Sequence, residues 1–175
     1  GVRTTSGVIH TRCVVNALGP WSGSALTVPA SVPPVPVQPR QGVLVVTQEH
    51  RGLIRHNIRG ASYLTDRSGH VPEEGAKISF AVEPTYRGNL LIGSSRHFAG
   101  FDVVFDLEIV NAIMQRALTF VPALGSVHVV RTFAGLRPWT PDNLPLVGPC
   151  SDVPGYVLAT GHEGEGIGLA PATAD

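Results

Sequence analysis

The chain has 175 residues, enough for a compact core but short for a two-domain redox enzyme. Hydrophobic residues make up 43% of it and charged residues 15%, which argues against a disordered chain. Thirteen basic side chains balance thirteen acidic ones, so the composition excludes a basic nucleic-acid-binding surface, and the apolar runs fall short of the ~20 residues of a membrane helix.

The first forty residues are typical of an α/β layer. Residues 8–10 and 12–16 are predicted to form two short strands around a turn. The second strand runs into a glycine-containing turn, and residues 21–26 are predicted to form a short helix. Residues 29–39 contain five of the fifteen prolines, which predicts an extended crossing segment or a linker.

The middle of the chain predicts an antiparallel sheet with one helix. The predicted strands and the turn clusters between them are residues 42–48, 53–58, 77–83 and 89–94, with turns at 66–69 and 86–89. Asp106 can cap a helix whose apolar residues recur at helical spacing until Pro122 ends it. Residues 127–136 predict a further strand, and residues 156–160 a short buried strand before a glycine-rich stretch and a helix start.

These elements predict an α+β or α/β fold in three segments. Residues 1–30 and 131–175 are interpreted as parts of one α/β domain. Residues 31–130 are interpreted as an antiparallel-sheet domain inserted into it. Such an arrangement is typical of an interrupted nucleotide-binding domain that carries a substrate domain.

The stretch after the last strand, residues 161–171, has the composition of a ligand-binding loop. Four glycines in eight residues allow the backbone to approach a ligand closely, and Pro171 suits the first turn of a helix. The free N–H groups of a helix start attract negative charge, so we expect an anion or polar ligand here. The alternative is a tight structural turn. Neither GxGxxG nor GxxxxGK[ST] occurs in the chain, so no motif argues for dinucleotide binding.

A second candidate stretch is residues 131–148. Arg137 follows apolar residues near the end of a predicted strand, where its planar guanidinium could bind a carboxylate through two hydrogen bonds. The alternative is a structural arginine paired with Asp142. Residues 141–143, Pro-Asp-Asn, are a turn signature under either interpretation.

Three ordered motifs together resemble those of the glycine/D-amino-acid oxidase family. They are Val-Val-Asn-Ala-Leu-Gly-Pro-Trp-Ser at 14–22, Ala-Gly-Leu-Arg-Pro with Thr-Pro-Asp-Asn-Leu-Pro-Leu-Val-Gly at 134–148, and Ala-Thr-Gly-His running to Ala-Pro-Ala-Thr at 159–173. The resemblance covers essentially the whole chain. It implies a glutathione-reductase-type, Rossmann-like FAD-binding domain with an inserted substrate domain, and therefore FAD in the full-length protein.

The resemblance also implies roles for individual residues. Arg137 matches the position that binds the substrate carboxylate, and the loop at 161–169 would meet the pyrimidine edge of the flavin and stabilise negative charge there. The implied reaction is hydride transfer from the α-carbon of an amine to flavin N5, followed by hydrolysis of the imine. The residues expected to bind the cofactor are Asn16, Ala17, Gly19, Trp21, Gly135, Arg137, Gly161, His162, Glu163, Gly164, Glu165, Gly166, Ile167, Gly168 and Leu169.

Several other side chains carry two interpretations each. His97, with Arg96, is expected to line the substrate cavity, the alternative being a solvated turn. His162 lies beside the flavin or packs the turn, and Glu163 with Glu165 forms a general-base pair or exposed loop charges. Tyr63 and Tyr86 could each contact the substrate through the hydroxyl group. The alternative is that both tyrosines are half-buried in the sheet and have no such role.

The chain departs from the family pattern in three places. The N-terminal GxGxxG and its ribose-binding acid are absent, so we expect the chain alone to be inactive. Glycine oxidase has an arginine in the final loop, whereas Gly164 and Glu165 occupy that region here, closer to dehydrogenases of proline-like or glycine substrates. Covalently flavinylated sarcosine oxidases use a cysteine between the second and third motifs. Cys150 falls in that interval but beyond residues 145–148, so we expect FAD to be bound non-covalently.

The hypothesis from sequence is a FAD-dependent oxidoreductase of the C–N bond of an amino acid or secondary amine. The alternatives are a non-catalytic flavin-fold subunit and a demethylase of the sarcosine or dimethylglycine dehydrogenase type. We expect a small-molecule substrate, a cytoplasmic location (peripheral to the membrane if quinone-linked), partner subunits in some assemblies and no metal site. Cys13 and Cys150 are expected to be buried thiols rather than a disulfide.

Overall fold

The computed structural model describes residues 1–24, 28, 31–61, 75–103 and 105–175. Its strands and α-helices are β1 (Val2–Thr4), β2 (Gly7–Ile9), β3 (Val14–Asn16), β4 (Gln38–Thr47), β5 (Ile58–Arg59), β6 (Lys77–Pro84), β7 (Leu90–Arg96), α1 (Leu107–Phe120), β8 (Val129–Trp139), β9 (Leu146–Pro149), β10 (Tyr156–Thr160) and α2 (Gly166–Ala174). Short 3₁₀ turns span Gly19–Gly23 and Pro122–Ser126.

Two compact units divide the chain. The first consists of Gly1–Arg40 and Arg137–Asp175, and the second of Gln41–Leu136. Both boundaries fall inside strands, β4 and β8, several residues after the breaks at 30/31 and 130/131 that the sequence suggested. The assignment of residues 1–30 and 131–175 to an FAD-binding domain, and of 31–130 to a substrate domain, stays a prediction.

A three-stranded sheet in the order β3-β10-β9 organises the first unit. β10 pairs parallel with β3 and antiparallel with β9, so strands from the two ends of the chain share one sheet. Strand β9 was not predicted from sequence; it ends at Pro149, a residue that disfavours strands. The predicted strand at 156–160 is confirmed.

The proline-rich segment contributes the core of this first unit. Val32, Val35 and Val37 are buried together with Tyr156 of β10. Prolines alternate with these valines, so the segment stays extended while it presents apolar side chains to the sheet. Of the two interpretations offered above, the extended segment is therefore right and a free linker is wrong.

The strands predicted at 8–10 and 12–16 are present as β2 and β3. Strand β2 pairs with β1 across a tight turn, where the Thr4 hydroxyl donates to the Gly7 carbonyl. Two other local predictions in the first unit are wrong. The helix predicted at 21–26 is the 3₁₀ turn Gly19–Gly23, with residues 25 and 26 outside the described part. Pro171 lies inside α2 rather than in its first turn.

The second unit is a five-stranded sheet with α1 packed on it, in the order β5-β6-β7-β4-β8. The pairs β4–β7, β5–β6 and β6–β7 are antiparallel, which confirms the predicted antiparallel sheet. The strand predicted at 53–58 is reduced to β5, because residues 51–53 form a turn and Ile54 packs into the core instead. The turn predicted at 66–69 lies outside the described residues.

Helix α1 forms as its sequence predicts. The Asp106 side chain accepts a hydrogen bond from the Glu108 N–H and so satisfies one of the free donors of the first turn. Val110, Ile113 and Ala117 face the sheet and are buried there. Burying each large apolar side chain contributes about 1.5–3 kcal/mol, so this face anchors the helix.

Both cysteines are free, and Cys13 is exposed rather than buried as predicted. Cys150 is half-buried against the valine core of the first unit. Neither described helix is long and apolar enough to cross a bilayer. Within the same residues, no three His, Cys, Asp or Glu side chains gather as metal ligands would.

Candidate functional site

A buried hydrogen-bond network joins the ends of β3 and β10. Asn16 Nδ2 donates to the Tyr156 hydroxyl at 2.7 Å and to the Ser22 carbonyl at 3.0 Å, while Asn16 Oδ1 accepts from Leu18 N. The Ser22 hydroxyl donates to Thr160 Oγ1, which in turn donates to the Gly19 carbonyl. The network fixes the 3₁₀ turn against the end of the parallel strand pair.

This network determines which groups of the first predicted cofactor-binding residues are accessible to a cofactor. Asn16 is 3% exposed and both its amide hydrogens are engaged within the chain, so its side chain serves the fold. Gly19 has a φ of 56°, which favours glycine. Ala17 and Trp21 are exposed next to it. Their contact with a cofactor stays a prediction.

The glycine-rich loop leaves β10 through a position that only glycine fits. Gly161 has a φ of 81°, and a Cβ there would lie 2.8 Å from Thr140 Cγ2. The Thr140 hydroxyl donates to the Leu144 carbonyl, so the segment beneath the loop is itself held. Packing against Thr140 therefore explains the first glycine of the stretch, while ligand binding by the stretch stays a prediction.

The loop ends at the start of α2, whose N-cap residue does not cap the helix with its side chain. Glu165 is the N-cap residue and makes no side-chain cap hydrogen bond. Gly166, Ile167 and Gly168 follow, and Ile167 is 97% exposed. The N–H groups of such a helix start, with the positive end of the helix dipole, form a site for an anion or a polar acceptor.

His162 stabilises this helix. Its Nε2 atom lies 2.9 Å from the Thr173 hydroxyl, which donates to the Leu169 carbonyl one turn earlier. This contact accords with the interpretation that His162 packs the turn. Thr173 was not singled out from sequence, because nothing in the sequence shows that the loop brings His162 next to this threonine. A place for His162 beside a flavin stays a prediction.

Two arginines meet one carboxylate beneath the loop. Glu163 Oε1 lies 3.7 Å from Arg40 Nη1 and 3.8 Å from Arg137 Nε. Glu163 Oε2 accepts a hydrogen bond of 2.6 Å from Gly164 N, and Glu163 N donates to the Pro138 carbonyl. The Arg40 side chain is fully buried, whereas that of Arg137 is 20% exposed. The Arg137 side chain is therefore partly accessible to solvent, whereas that of Arg40 is not.

The backbone of Glu163 is unusual. Its φ of 49° lies in the left-handed region, which costs a residue with a Cβ roughly 1–2 kcal/mol. A conformation of this kind persists when surrounding contacts over-determine it, and such residues cluster at functional sites. The two ion pairs and the hydrogen bonds of Glu163 are contacts of that kind.

Two alternatives from the sequence are wrong at this cluster. Arg137 does not pair with Asp142, whose carboxylate accepts from Leu144 N instead. Glu163 is not an exposed loop charge, since its side chain is only 14% exposed. The sequence analysis did not identify Arg40 as a member of this cluster, because nothing in the sequence indicates that this arginine lies close to the distant residue Glu163.

The remaining candidates lie in the second unit. Arg96 is 1% exposed in β7 and donates to the Ser79 hydroxyl, so the solvated turn proposed for it is wrong. His97 follows and is half-buried, with its backbone paired to Gln41. Gly135 is exposed on β8. Tyr86 is fully exposed, not half-buried, and Tyr63 lies outside the described residues.

The whole chain, residues 1–175, matches the model of the family described as FAD dependent oxidoreductase, DAO. The chain belongs to this family. It is 35% identical over 168 residues to hydrogen cyanide synthase subunit HcnC of Pseudomonas aeruginosa, covering 95% of this chain and 36% of that protein. It is 29% identical to glycine oxidase of Pseudomonas putida, covering 99% of this chain and 42% of that protein.

Solved structures of the family share the fold. Glycine oxidase from Bacillus cereus aligns with a TM-score of 0.77 at 26% identity, over 99% of this chain and 43% of that one. L-proline dehydrogenase from P. horikoshii aligns with a TM-score of 0.79 at 27% identity, over 98% of this chain and 43% of that one. The predicted family and fold class are thus confirmed, for a chain that spans well under half the length of these relatives.

The residues described here fit the FAD that the family's name implies. The isoalloxazine ring carries acceptor atoms that become more negative on reduction, and the uncapped amides at the start of α2 are donors for such atoms. Gly168 has open space where a Cβ would lie, so the backbone can be approached closely there. Within the described residues, residues 161–165 and the start of α2 therefore fit a flavin.

Proposed function

We propose that the full-length protein is a FAD-dependent oxidoreductase that oxidises the C–N bond of an amino acid or secondary amine. The observation that carries the proposal is Arg137, a partly exposed guanidinium at the end of β8, held by Glu163 of the glycine-rich loop. It supplies a carboxylate-binding group beside the loop suited to the flavin. Hydrogen cyanide synthase subunit HcnC, glycine oxidase and L-proline dehydrogenase support this substrate class by their names.

The chain's own residues would bind and orient the substrate. FAD, when bound, would accept the hydride of the α-carbon, with its two electrons, as the C–N single bond becomes the C=N bond of an imine. Arg137 would hold the substrate carboxylate, and its fixed position would set the distance of the α-carbon from the ring. The amides at the start of α2 would stabilise the negative charge that the ring gains. Non-covalent attachment of FAD is part of the proposal, because half-buried Cys150 packs into the valine core.

The first experiment is spectroscopic. The purified full-length protein should absorb as a flavoprotein, and its flavin band should bleach without oxygen when glycine, sarcosine, proline or hydroxyproline is added. A protein that FAD cannot reconstitute, or a flavin that no amine reduces, would contradict the proposal. The panel also identifies which amine is the substrate.

Substitution of Arg137 tests the carboxylate contact. We expect Arg137→Met to raise KM for carboxylate substrates about 10- to 100-fold, because a hydrogen bond to a charged group contributes about 1.5–3 kcal/mol. Arg137→Lys should lie between wild type and Arg137→Met, since lysine keeps the charge but loses the planar pair of donors.

The matched control is Arg131→Met, which removes an exposed arginine from the same strand, β8. Its KM should stay at the wild-type value. If Arg137→Met left KM unchanged, the carboxylate contact would be excluded while the flavin chemistry remained open.

A second candidate function is oxidative demethylation. Human mitochondrial sarcosine dehydrogenase is 30% identical to this chain over 173 residues, although the match covers only 18% of that protein. Its name supports an N-methylated amine as a substrate. Bleaching by sarcosine or dimethylglycine but by no unmethylated amino acid would favour this candidate.

A further inference from the structure

The side chain of His162 lies along one face of helix α2. Gly166 and Thr173 are two helical turns apart and therefore share a face of this helix. A Cβ at Gly166 would lie 3.5 Å from His162 Cβ, and His162 Nε2 lies 2.9 Å from Thr173 Oγ1. One side chain of the glycine-rich loop therefore contacts both the first and the last turn of α2.

Helix α2 depends on such contacts for its position. None of its residues is buried, so apolar packing within this chain does not hold it. A helix this short is also marginal on its own in water. His162 supplies two attachments: its carbonyl accepts from Glu165 N at the N-cap, and its ring contacts Thr173. His162 thereby connects the helix to the end of β10, which it follows in the chain.

The Thr173 hydroxyl determines the direction of the contact. Its one hydrogen is donated to the Leu169 carbonyl, so its oxygen accepts from His162 Nε2. The ring therefore carries a hydrogen on Nε2, which the neutral tautomer and the imidazolium can both supply. The contact needs a donor and a hydroxyl oxygen but no charge. Glutamine in place of His162 and serine in place of Thr173 keep these two groups.

We propose that His162 is a positioning residue for the flavin: its contact with Thr173 holds α2 so that the amides at the helix start are directed at the ring. The inference rests on the proposed function. Negative charge develops on the ring on reduction, and amides held in place stabilise that charge, which raises the reduction potential. His162 thus sets the potential of an acceptor that it need not touch.

The test measures the midpoint potential of FAD in the full-length protein, reduced chemically against a reference dye. At the wild-type midpoint, the ratio of reduced to oxidised flavin should fall about three- to tenfold in Thr173→Val and in His162→Leu. This is a shift of about 14–30 mV for two electrons. The double variant should shift no further than either single one, because both remove the same contact. Thr173→Ser and His162→Gln should stay close to wild type.

Thr119→Val is the matched control. Thr119 Oγ1 donates to the Gln115 carbonyl in α1, as Thr173 Oγ1 donates to the Leu169 carbonyl in α2, but α1 belongs to the second unit. The control should lose the same kind of hydrogen bond and keep the wild-type potential. A merely structural role of Thr173 would lower thermal stability in Thr173→Val while the bound flavin kept its potential.

The outcomes separate this inference from the proposed function. Equal potentials in Thr173→Val and wild type, or an equal shift in Thr173→Ser and Thr173→Val, overturn the inference even if an amine bleaches the flavin. The predicted series of potentials with a flavin that no amine reduces contradicts only the proposed function. A full-length protein that FAD cannot reconstitute contradicts both. If His162→Leu does not fold, the two Thr173 variants decide the question.

Discussion

At the scale of single residues, the site of the first unit depends on buried polar groups whose partners come from far along the chain. Asn16 and Tyr156 bond to each other across the parallel strands, and Ser22 and Thr160 bond across the adjacent turn. A buried amide that loses a partner forfeits its hydrogen bonds and remains desolvated, so each of these groups is sensitive to substitution. The network thereby holds the strand end from which the glycine-rich loop begins.

Replacement of Asn16 tests the network. Asn16→Ala should lower the free energy of unfolding by about 1–3 kcal/mol, because the Tyr156 hydroxyl loses its amide donor and the Leu18 N–H its acceptor. Tyr156→Phe removes one hydroxyl and should cost about 1 kcal/mol. Urea unfolding of the full-length protein measures both.

Asn111→Ala is the matched control, since Asn111 is exposed on α1 and its loss should change stability by less than about 0.5 kcal/mol. Equal effects of Asn16→Ala and Asn111→Ala would show that the buried network contributes nothing to stability.

Single residues also mark the limit of prediction from sequence. Arg137 and the residues of the loop were singled out because motifs of adjacent residues carry them. Arg40 was not singled out, because its partner Glu163 is brought to it only by folding. For Arg96, burial excludes the solvated turn, one of the two interpretations that the sequence left open.

At the scale of elements, the predictions succeeded where all signals are local. Helix α1 has its cap, its apolar spacing and its terminating proline within one stretch, and it forms as predicted. Strand β9 was missed because its partner, β10, supplies the pairing while Pro149 at its end argues against a strand. The pairing of β2 with β1 was not predicted, because it depends on a contact between the two strands.

The glycine-rich loop provides a prediction at this scale. Gly161→Ala should destabilise the full-length protein by about 2–4 kcal/mol, because alanine adds strain at a φ of 81° and a clash with Thr140. Gly52 is the matched control: its φ is 86°, but a Cβ there meets nothing within 4 Å. Gly52→Ala should cost only about 1–2 kcal/mol.

Thermal unfolding of the two variants measures the difference. The flavin content of Gly161→Ala should also fall, since the loop starts at this residue. If the two glycines tolerated alanine equally well, the packing of the loop against Thr140 would be irrelevant to stability.

At the scale of the whole molecule, the first unit exposes apolar residues that a parallel strand pair normally buries on both faces. Val15 of β3 is 59% exposed, Val147 of β9 52% and Leu169 of α2 42%. Helix α2 has no buried residue. The matched relatives are considerably longer, since this chain covers 36% of HcnC and 43% of the B. cereus glycine oxidase. We therefore expect additional residues to cover these side chains in the full-length protein.

The 175-residue chain alone should then bind a hydrophobic dye such as anilinonaphthalene sulfonate and self-associate, because exposed apolar patches of this kind drive association. The full-length protein should do neither. Val15→Thr with Val147→Thr should reduce dye binding by the short chain, since threonine keeps the branched shape that strands favour and adds a polar group. Dye fluorescence and sedimentation measure the outcome. A monodisperse chain that binds no dye would mean that the exposed faces of β3 and β9 need no cover, and that this unit is stable as it stands.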